Sequence, residues 1–116
     1  MARYLISFDH GAMDHIPDEE EPDVRDASLA VIRDAQEAGV WVFAGGVYPD
    51  DEGNPSVVAP DGTVTDAPKR KPYIAGVTII DVPSRKEALQ WAAKIAAACR
   101  CAQEVREFGP DPAVGN

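Results

Sequence analysis

Four stretches of the chain carry apolar residues at every second position or in a short β-branched run, which is the pattern of β-strands. The run at residues 74–80 is almost uninterrupted and predicts a central strand. In residues 40–48, the alternation places Trp41 and Phe43 on the same face of the strand. The four predicted strands are residues 2–8, 40–48, 74–80 and 101–108.

Two further stretches repeat apolar residues at the spacing of an amphipathic helix. The first is residues 22–38, where acidic residues and a proline precede the apolar stripe and Gly39 follows it as a C-terminal cap. The second begins at a capping box, in which Ser84 and Glu87 each bond the backbone N–H group of the other, and it ends near Ala98. The stripes comprise Val24, Ser28, Val31, Ala35 and Ala38 in the first helix and Ala88, Trp91, Ala92, Ile95 and Cys99 in the second.

A short hairpin is predicted between the second and third strands. The dipeptide Asp61-Gly62 favours a tight turn because glycine reaches positive φ without a Cβ clash, and residues 55–59 and 62–65 flank it as strands. Without this insertion the order is βαββαβ, which is the ferredoxin-like α+β arrangement. We expect one domain over residues 1–108, followed by a C-terminal tail at residues 109–116.

The predicted sheet has a face that two helices cannot cover. This face carries Trp41, Phe43 or their neighbours, and it is too apolar to face water. We therefore expect a homodimer of the dimeric α/β-barrel type, in which the open faces of two sheets pack together.

Composition narrows the possible partners. The chain has 116 residues and a formal net charge of −9, so binding to nucleic acid or to an anionic membrane surface is disfavoured. No apolar run approaches the roughly 20 residues needed to cross a bilayer. Cys99 and Cys101 flank one arginine, and in a strand their side chains would face opposite ways, which predicts reduced thiols in a cytoplasmic protein.

Several short motifs occur in an order that resembles one known family, the YCII-related family, in the branch called the DGPF-domain family. This resemblance implies a dimeric ferredoxin-like fold, and no cofactor is expected. It does not imply one settled function, although some members sit beside or are fused to sigma-factor-like regulators, and a His-Asp pair has been proposed as an active site. The motifs lie at residues 3–6, 38–40, 45–46, 61–68, 74–76, 87–93 and 104–106.

The proposed dyad carries over only in part. The aspartate of the motif corresponds to Asp66, and Pro68 is retained, but Ala67 replaces a glycine and Lys69 an aromatic residue. The histidine of the family, on the first helix, falls on Ser28 here. Because serine is no proton shuttle near neutral pH without an assisting base, a histidine from the neighbouring loop must take its place.

The two histidines, His10 and His15, lie in that loop, and each follows an aspartate. Both could reach the end of the sheet where Asp66 is expected, and a carboxylate beside an imidazole makes a general base. We therefore take Asp66, His15 and His10 as the candidate catalytic residues. The alternative is that both histidines make only local hydrogen bonds in a turn.

Other chemistry has less support. A metal site drawn from His10, Asp14 and His15 lacks the spacing of known metal motifs, and an acidic helix N-terminus explains residues 18–21, so no metal is expected. Cys101 has no evident base to make it a nucleophile. A set of five aromatic residues either lines a small pocket between the sheet and a dimer partner or belongs to the ordinary hydrophobic core and the dimer interface. This set is Trp41, Phe43, Tyr48, Tyr73 and Trp91.

Two functional hypotheses follow. In the first, the protein is a dimeric domain that binds a small molecule, or acts on it weakly, in a pocket near the end of the sheet, where Gly45-Gly46 leaves space for a ligand. In the second, it is a dimeric interaction module for a transcription regulator or a partner enzyme and performs no chemistry. A concave site holding Asp66 beside a loop histidine would favour the first hypothesis.

Overall fold

The structure is a computed structural model, and it describes residues 1–48, 55–68 and 73–115. Lys69, where the sequence departs from the family motif, lies outside the described residues. The helices are α1 (Glu21–Glu37) and α2 (Arg85–Cys99). The strands are β1 (Ala2–Asp9), β2 (Trp41–Gly46), β3 (Ser56–Val58), β4 (Val64–Asp66), β5 (Ile74–Val82) and β6 (Glu104–Glu107).

The main sheet has four strands in the order β2-β5-β1-β6, and all neighbouring pairs are antiparallel. This order, with one helix after the first strand and one after β5, is consistent with a ferredoxin-like α+β fold, so the predicted architecture is confirmed at that level. β1 and β5 form the centre, and Tyr4 pairs with Ile80 across them. Within the described residues, neither helix has the length and apolar character needed to cross a membrane.

One face of the sheet is covered by the helices and holds the core. Tyr4 and Ile6 from β1 and Ile80 and Val82 from β5 are buried there, against alanines of α2. One of the two hydrogen bonds of the predicted capping box is present at the N-terminus of this helix. The Ser84 hydroxyl accepts from the backbone N–H of Glu87 at 3.2 Å.

A β-bulge in β2 changes which residues share a face. Trp41 pairs with Ile80 and Phe43 with Ile79, so the register shifts between them and Val42 is the extra residue. Trp41 therefore lies on the helix-covered face, whereas Phe43 lies on the open face and is 53% exposed. The prediction that both aromatic residues share a face is wrong, because a bulge inverts the alternation beyond it.

The segment after α2 also differs from the prediction. Cys99 is the last residue of α2, Arg100 ends the helix in the left-handed conformation with φ 56°, and β6 begins only at Glu104. Cys101 lies in this connection, so the two cysteines do not occupy alternating strand positions. Both are free thiols.

β3 and β4 form a separate two-stranded antiparallel sheet, in which Ser56 pairs with Asp66. Its turn is held by Asp61, whose carboxylate accepts from the backbone N–H of Thr63 at 2.9 Å. The hydroxyl of Tyr73 donates to the carbonyl of Pro68 and so ties the end of this small sheet to the start of β5. The radius of gyration is 15.9 Å, whereas a compact chain of this length has about 13 Å, so the molecule is extended for its size.

Candidate functional site

A cavity of about 750 Å³ lies between α1 and the part of the sheet formed by β2 and β5. The C-terminal part of α2 and the loop between β1 and α1 complete its wall. This volume falls within the range of small-molecule sites, and most of the lining side chains are apolar, as in such sites.

The cavity exists because α1 does not fill the space beneath its apolar stripe. Only Val24 and Ala35 of this helix are buried. Ser28, Leu29 and Ile32, from the same face, are half-buried and line the cavity. An apolar helix stripe usually packs against the core, but the stripe of α1 forms the upper wall of the cavity.

The floor is open because two strands lack side chains there. Phe8, Gly76 and Gly46 stand in one register row across β1, β5 and β2. A Cβ built on Gly76 would lie 2.4 Å from Cε1 and 2.5 Å from Cζ of Phe8, so the phenyl ring occupies the space that a side chain at Gly76 would need. A Cβ on Gly46 would meet its nearest neighbour, the Ala75 carbonyl oxygen, at 3.7 Å, so the space there is free.

Two polar side chains meet on the wall formed by the helices. The hydroxyl Oγ of Ser28 and the thiol Sγ of Cys99 are 3.5 Å apart, within hydrogen-bonding distance for sulfur. Ser28 stands where the resemblance places the histidine of the family, so the cavity holds a hydroxyl and a thiol at that position in place of an imidazole. Neither group is a strong base at neutral pH.

Charge is concentrated where the loop and the start of α1 border the cavity. Three carboxylates, those of Asp14, Asp18 and Glu21, line this rim together with one guanidinium, that of Arg25. All four residues are exposed. The rim is therefore negative overall, and it disfavours the entry of anions.

The indole nitrogen of Trp41, a residue of the cavity wall, is buried and has no hydrogen-bond partner among the described residues. A buried donor without an acceptor costs about 1–3 kcal/mol. The bulge at Val42 turns this indole toward the helices, where the neighbouring core side chains are apolar. Trp41 therefore contributes apolar surface to the wall at some cost in stability.

The structure places the three predicted catalytic residues away from this wall. Asp66 is exposed and ends β4. His10 is half-buried in the turn after β1, where its backbone N–H donates to the carbonyl of Tyr73 at 2.9 Å, and His15 is exposed. Among the described residues that line the cavity, none of these three occurs, although the neighbours of His15, Asp14 and Ile16, both do.

The other candidates are also located. In the described part of the chain, no cluster of three or more histidine, cysteine or acidic residues could hold a metal ion. Burial raises the pKa of the Cys101 thiol, and the nearby Cys99 adds to this effect, so Cys101 is held in its thiol form. Of the predicted aromatic set, Trp41 and Trp91 line the cavity, which lies on the helix-covered side and not between the sheet and a partner, while Phe43 is on the opposite face.

The chain is similar to one protein family and to solved structures. The sequence profile of the YCII-related domain matches residues 3–108. No curated protein is significantly similar. One similar solved structure is 5-chloro-2-hydroxyhydroquinone dehydrochlorinase (TftG) from Burkholderia phenoliruptrix AC1100, in complex with 2,5-dihydroxybenzoquinone. It is 13% identical, the alignment covers 97% of this chain and 98% of that chain, and the TM-score is 0.54, which indicates a shared fold.

Proposed function

The chain belongs to the family of YCII-related domains, and on that premise we propose that it is a dimeric domain that binds a small molecule, or acts on it weakly, in the cavity beneath α1. The observation that carries this proposal is the cavity itself. It has about 750 Å³, an apolar wall and a few polar groups, which are the features of a small-molecule site.

The structural neighbour supports a small-molecule role. TftG is a dehydrochlorinase whose structure contains 2,5-dihydroxybenzoquinone, so a protein of this fold accommodates a small ring compound. The wall of the present cavity offers aromatic surface from Phe8, Trp41 and Trp91, and hydrogen-bonding groups from Ser28 and Cys99. We propose a ligand of comparable size for this chain.

A substitution that fills the cavity tests the proposal. Gly46→Leu places a side chain in the free space above β2, where even the Cβ has no neighbour closer than 3.7 Å, so the variant should fold. Gly109→Leu is the matched control, because a Cβ there meets nothing within 4 Å and the residue lies outside the cavity. Thermal-shift screening of a metabolite collection identifies ligands, since binding to the folded state raises its apparent stability.

We expect wild type and Gly109→Leu to respond to the same compounds and Gly46→Leu to lose the response. Hits that stabilise all three proteins equally would bind elsewhere and would refute the cavity as the site. A screen without hits would favour the second hypothesis, an interaction module.

That second hypothesis has one observation in its favour. The small sheet of β3 and β4 exposes Val57, Val58 and Val64, at 46%, 64% and 62% of their surface. An isolated two-stranded sheet is at best marginally stable in water, so apolar contacts from another chain would stabilise it. Such contacts fit a second copy as well as a foreign partner.

We propose the homodimer on the open face of the main sheet. Leu5, Val77 and Ile79 form its centre and are half-buried, and Phe43 stands exposed beside them. The ion pair of Arg3 with Asp81 lies on the same face, near its border, at 2.8 Å. The mass measured by light scattering at micromolar concentration should be twice that of the chain, and a sharp monomeric mass would refute the dimer.

The acid–base roles of Asp66, His10 and His15 remain predictions. Because none of them lines the cavity of one chain, they require that the ligand extend beyond the rim near Asp14. Replacing His15 or Asp66 by alanine should then abolish binding of a screening hit and leave the melting temperature nearly unchanged. Binding that survives both replacements would leave the cavity as the site without this pair.

A further inference from the structure

The floor of the cavity contains one phenyl ring and two glycines, which have no side chain. In the register row of Phe8, Gly76 and Gly46, the phenyl ring lies over the backbone of Gly76, whereas a Cβ on Gly46 would have no neighbour closer than 3.7 Å. Gly76 is buried beneath the ring, so the ring has no room to approach the strand further. Phe8 itself is half-buried and borders the cavity.

We propose that Phe8 is a specificity-determining residue and that the ligand of this cavity contains an uncharged, planar aromatic ring that packs against it. This inference rests on the proposed function and names the class of its ligand. The ring of Phe8 lies over Gly76 and borders the cavity, and the absence of a side chain at Gly46 leaves a space beside it.

The charge of the rim restricts the charge that the ligand can carry. Three carboxylates and one guanidinium line the entrance, so a negatively charged ring meets net repulsion. The polar side chains of the inner wall are neutral, and they include the hydroxyls of Ser28 and Thr78, the thiol of Cys99 and the amide of Gln103. Such groups suit a hydroxyl or carbonyl substituent on the ring better than a full charge, which would lose its hydration without a counter-ion.

An aromatic ring gains more from Phe8 than a saturated ring of the same size. Paired aromatic rings are favoured beyond their buried area, and the gain corresponds to about a three- to tenfold difference in affinity. Phenol and cyclohexanol therefore form a matched pair of probes, since each has one six-membered ring and one hydroxyl. Benzoate adds a planar ring with a negative charge.

The experiment measures the dissociation constants of the three probes by NMR titration of the full-length protein. In wild type we expect phenol to bind about three- to tenfold more tightly than cyclohexanol and more tightly than benzoate. Phe8→Leu should remove the preference for phenol and leave cyclohexanol nearly unchanged. Phe43→Leu, on the opposite face, should change neither value, and Phe8→Met serves as the second variant if Phe8→Leu does not fold.

Each outcome decides between the two proposals. Equal binding of phenol and cyclohexanol in wild type, or a preference that survives in Phe8→Leu, would overturn the role of Phe8 and leave the cavity as a binding site. Binding of benzoate as tight as that of phenol would overturn the uncharged class. Binding of no probe, together with a lack of effect of Gly46→Leu on any screening hit, would overturn both proposals.

Discussion

Replacing Gly76 by alanine gives the sharpest test of the described packing. The added methyl group would lie 2.4 Å from the nearest ring carbon of Phe8, and ordinary contact begins at about 3.4 Å, so the ring must move by about 1 Å. Overpacking of this kind costs about 1–3 kcal/mol. The cavity beside the ring lets it swing aside, and alanine is favoured over glycine within a strand by about 0.5–1 kcal/mol. We therefore expect a net loss of about 1 kcal/mol.

The sign of the effect should depend on Phe8. In a Phe8→Ala background the methyl group meets no ring, so Gly76→Ala should stabilise the protein by about 0.5 kcal/mol. The coupling between the two positions is then about 1.5 kcal/mol, which exceeds the usual error of additivity for independent sites. Gly46→Ala is the control, because its nearest neighbour lies at 3.7 Å and it should behave alike in both backgrounds.

The assay is urea unfolding followed by circular dichroism, at one fixed protein concentration because the protein is proposed to dimerise. The four proteins of the cycle and the two control variants give the coupling directly. If Gly76→Ala changes the free energy of unfolding equally with and without the phenyl ring, the ring does not lie on Gly76, and the floor of the cavity is not as described.

Two other substitutions test features of the site and of the open face. Trp41→Phe removes a buried N–H group that has no partner among the described residues, and it also removes part of the apolar wall. Because these effects have opposite signs, the free energy of unfolding should stay within about 0.5 kcal/mol of wild type; a loss above about 2 kcal/mol would show that the unpaired N–H group costs little. Asp81→Asn removes a two-contact ion pair with Arg3, which lowers the pKa of Asp81 through hydrogen bonding, and should cost about 0.5–1 kcal/mol at pH 7. A carboxyl whose folded pKa is lowered stabilises the protein above its unfolded pKa of about 3.9 and loses this effect as the pH falls through the folded value. The difference from wild type should therefore be full at pH 7 and shrink in acid-unfolding curves as the pH falls below about 3.9 toward the folded pKa of Asp81; a difference that stays constant over this range would refute the assignment.

Most of the fold follows from the pattern of the sequence, since each helix and each strand of the main sheet has its own apolar period and clear end signals. The exceptions are local. The bulge at Val42 cannot be predicted from alternation, because the residues on both sides of it alternate equally well. The strand predicted from Cys101 begins at Glu104, because Arg100 ends α2 in a left-handed conformation that a sequence pattern assigns more readily to glycine or asparagine.

The site was harder to predict than the fold. The histidines and the family motif point to Asp66, His10 and His15, which lie on loops and on β4, outside the cavity wall. One signal did point to the space that exists. Gly45-Gly46 in a strand indicates room for a ligand, and Gly46 does lie on the cavity floor, but the partner glycine at Gly76 enters only through the pairing of β2 with β5.

The position of the cavity follows from the different composition of the two helix stripes. α2 buries three alanines and Ile95, and Ala88, Ala92 and Ile95 join the core side chains of β1 and β5. α1 has the bulkier stripe, yet buries only Val24 and Ala35, and its half-buried Ser28, Leu29 and Ile32 line the cavity. Here a half-buried helix stripe lies over a strand pair that contains glycines and borders the cavity, and periodicity alone does not distinguish this arrangement from a packed core. The ligand-binding hypothesis therefore depends on two features together, the glycines of the sheet and the half-buried helix stripe above them. A side chain introduced at Gly46 fills the space between them, and it should abolish ligand binding without preventing folding.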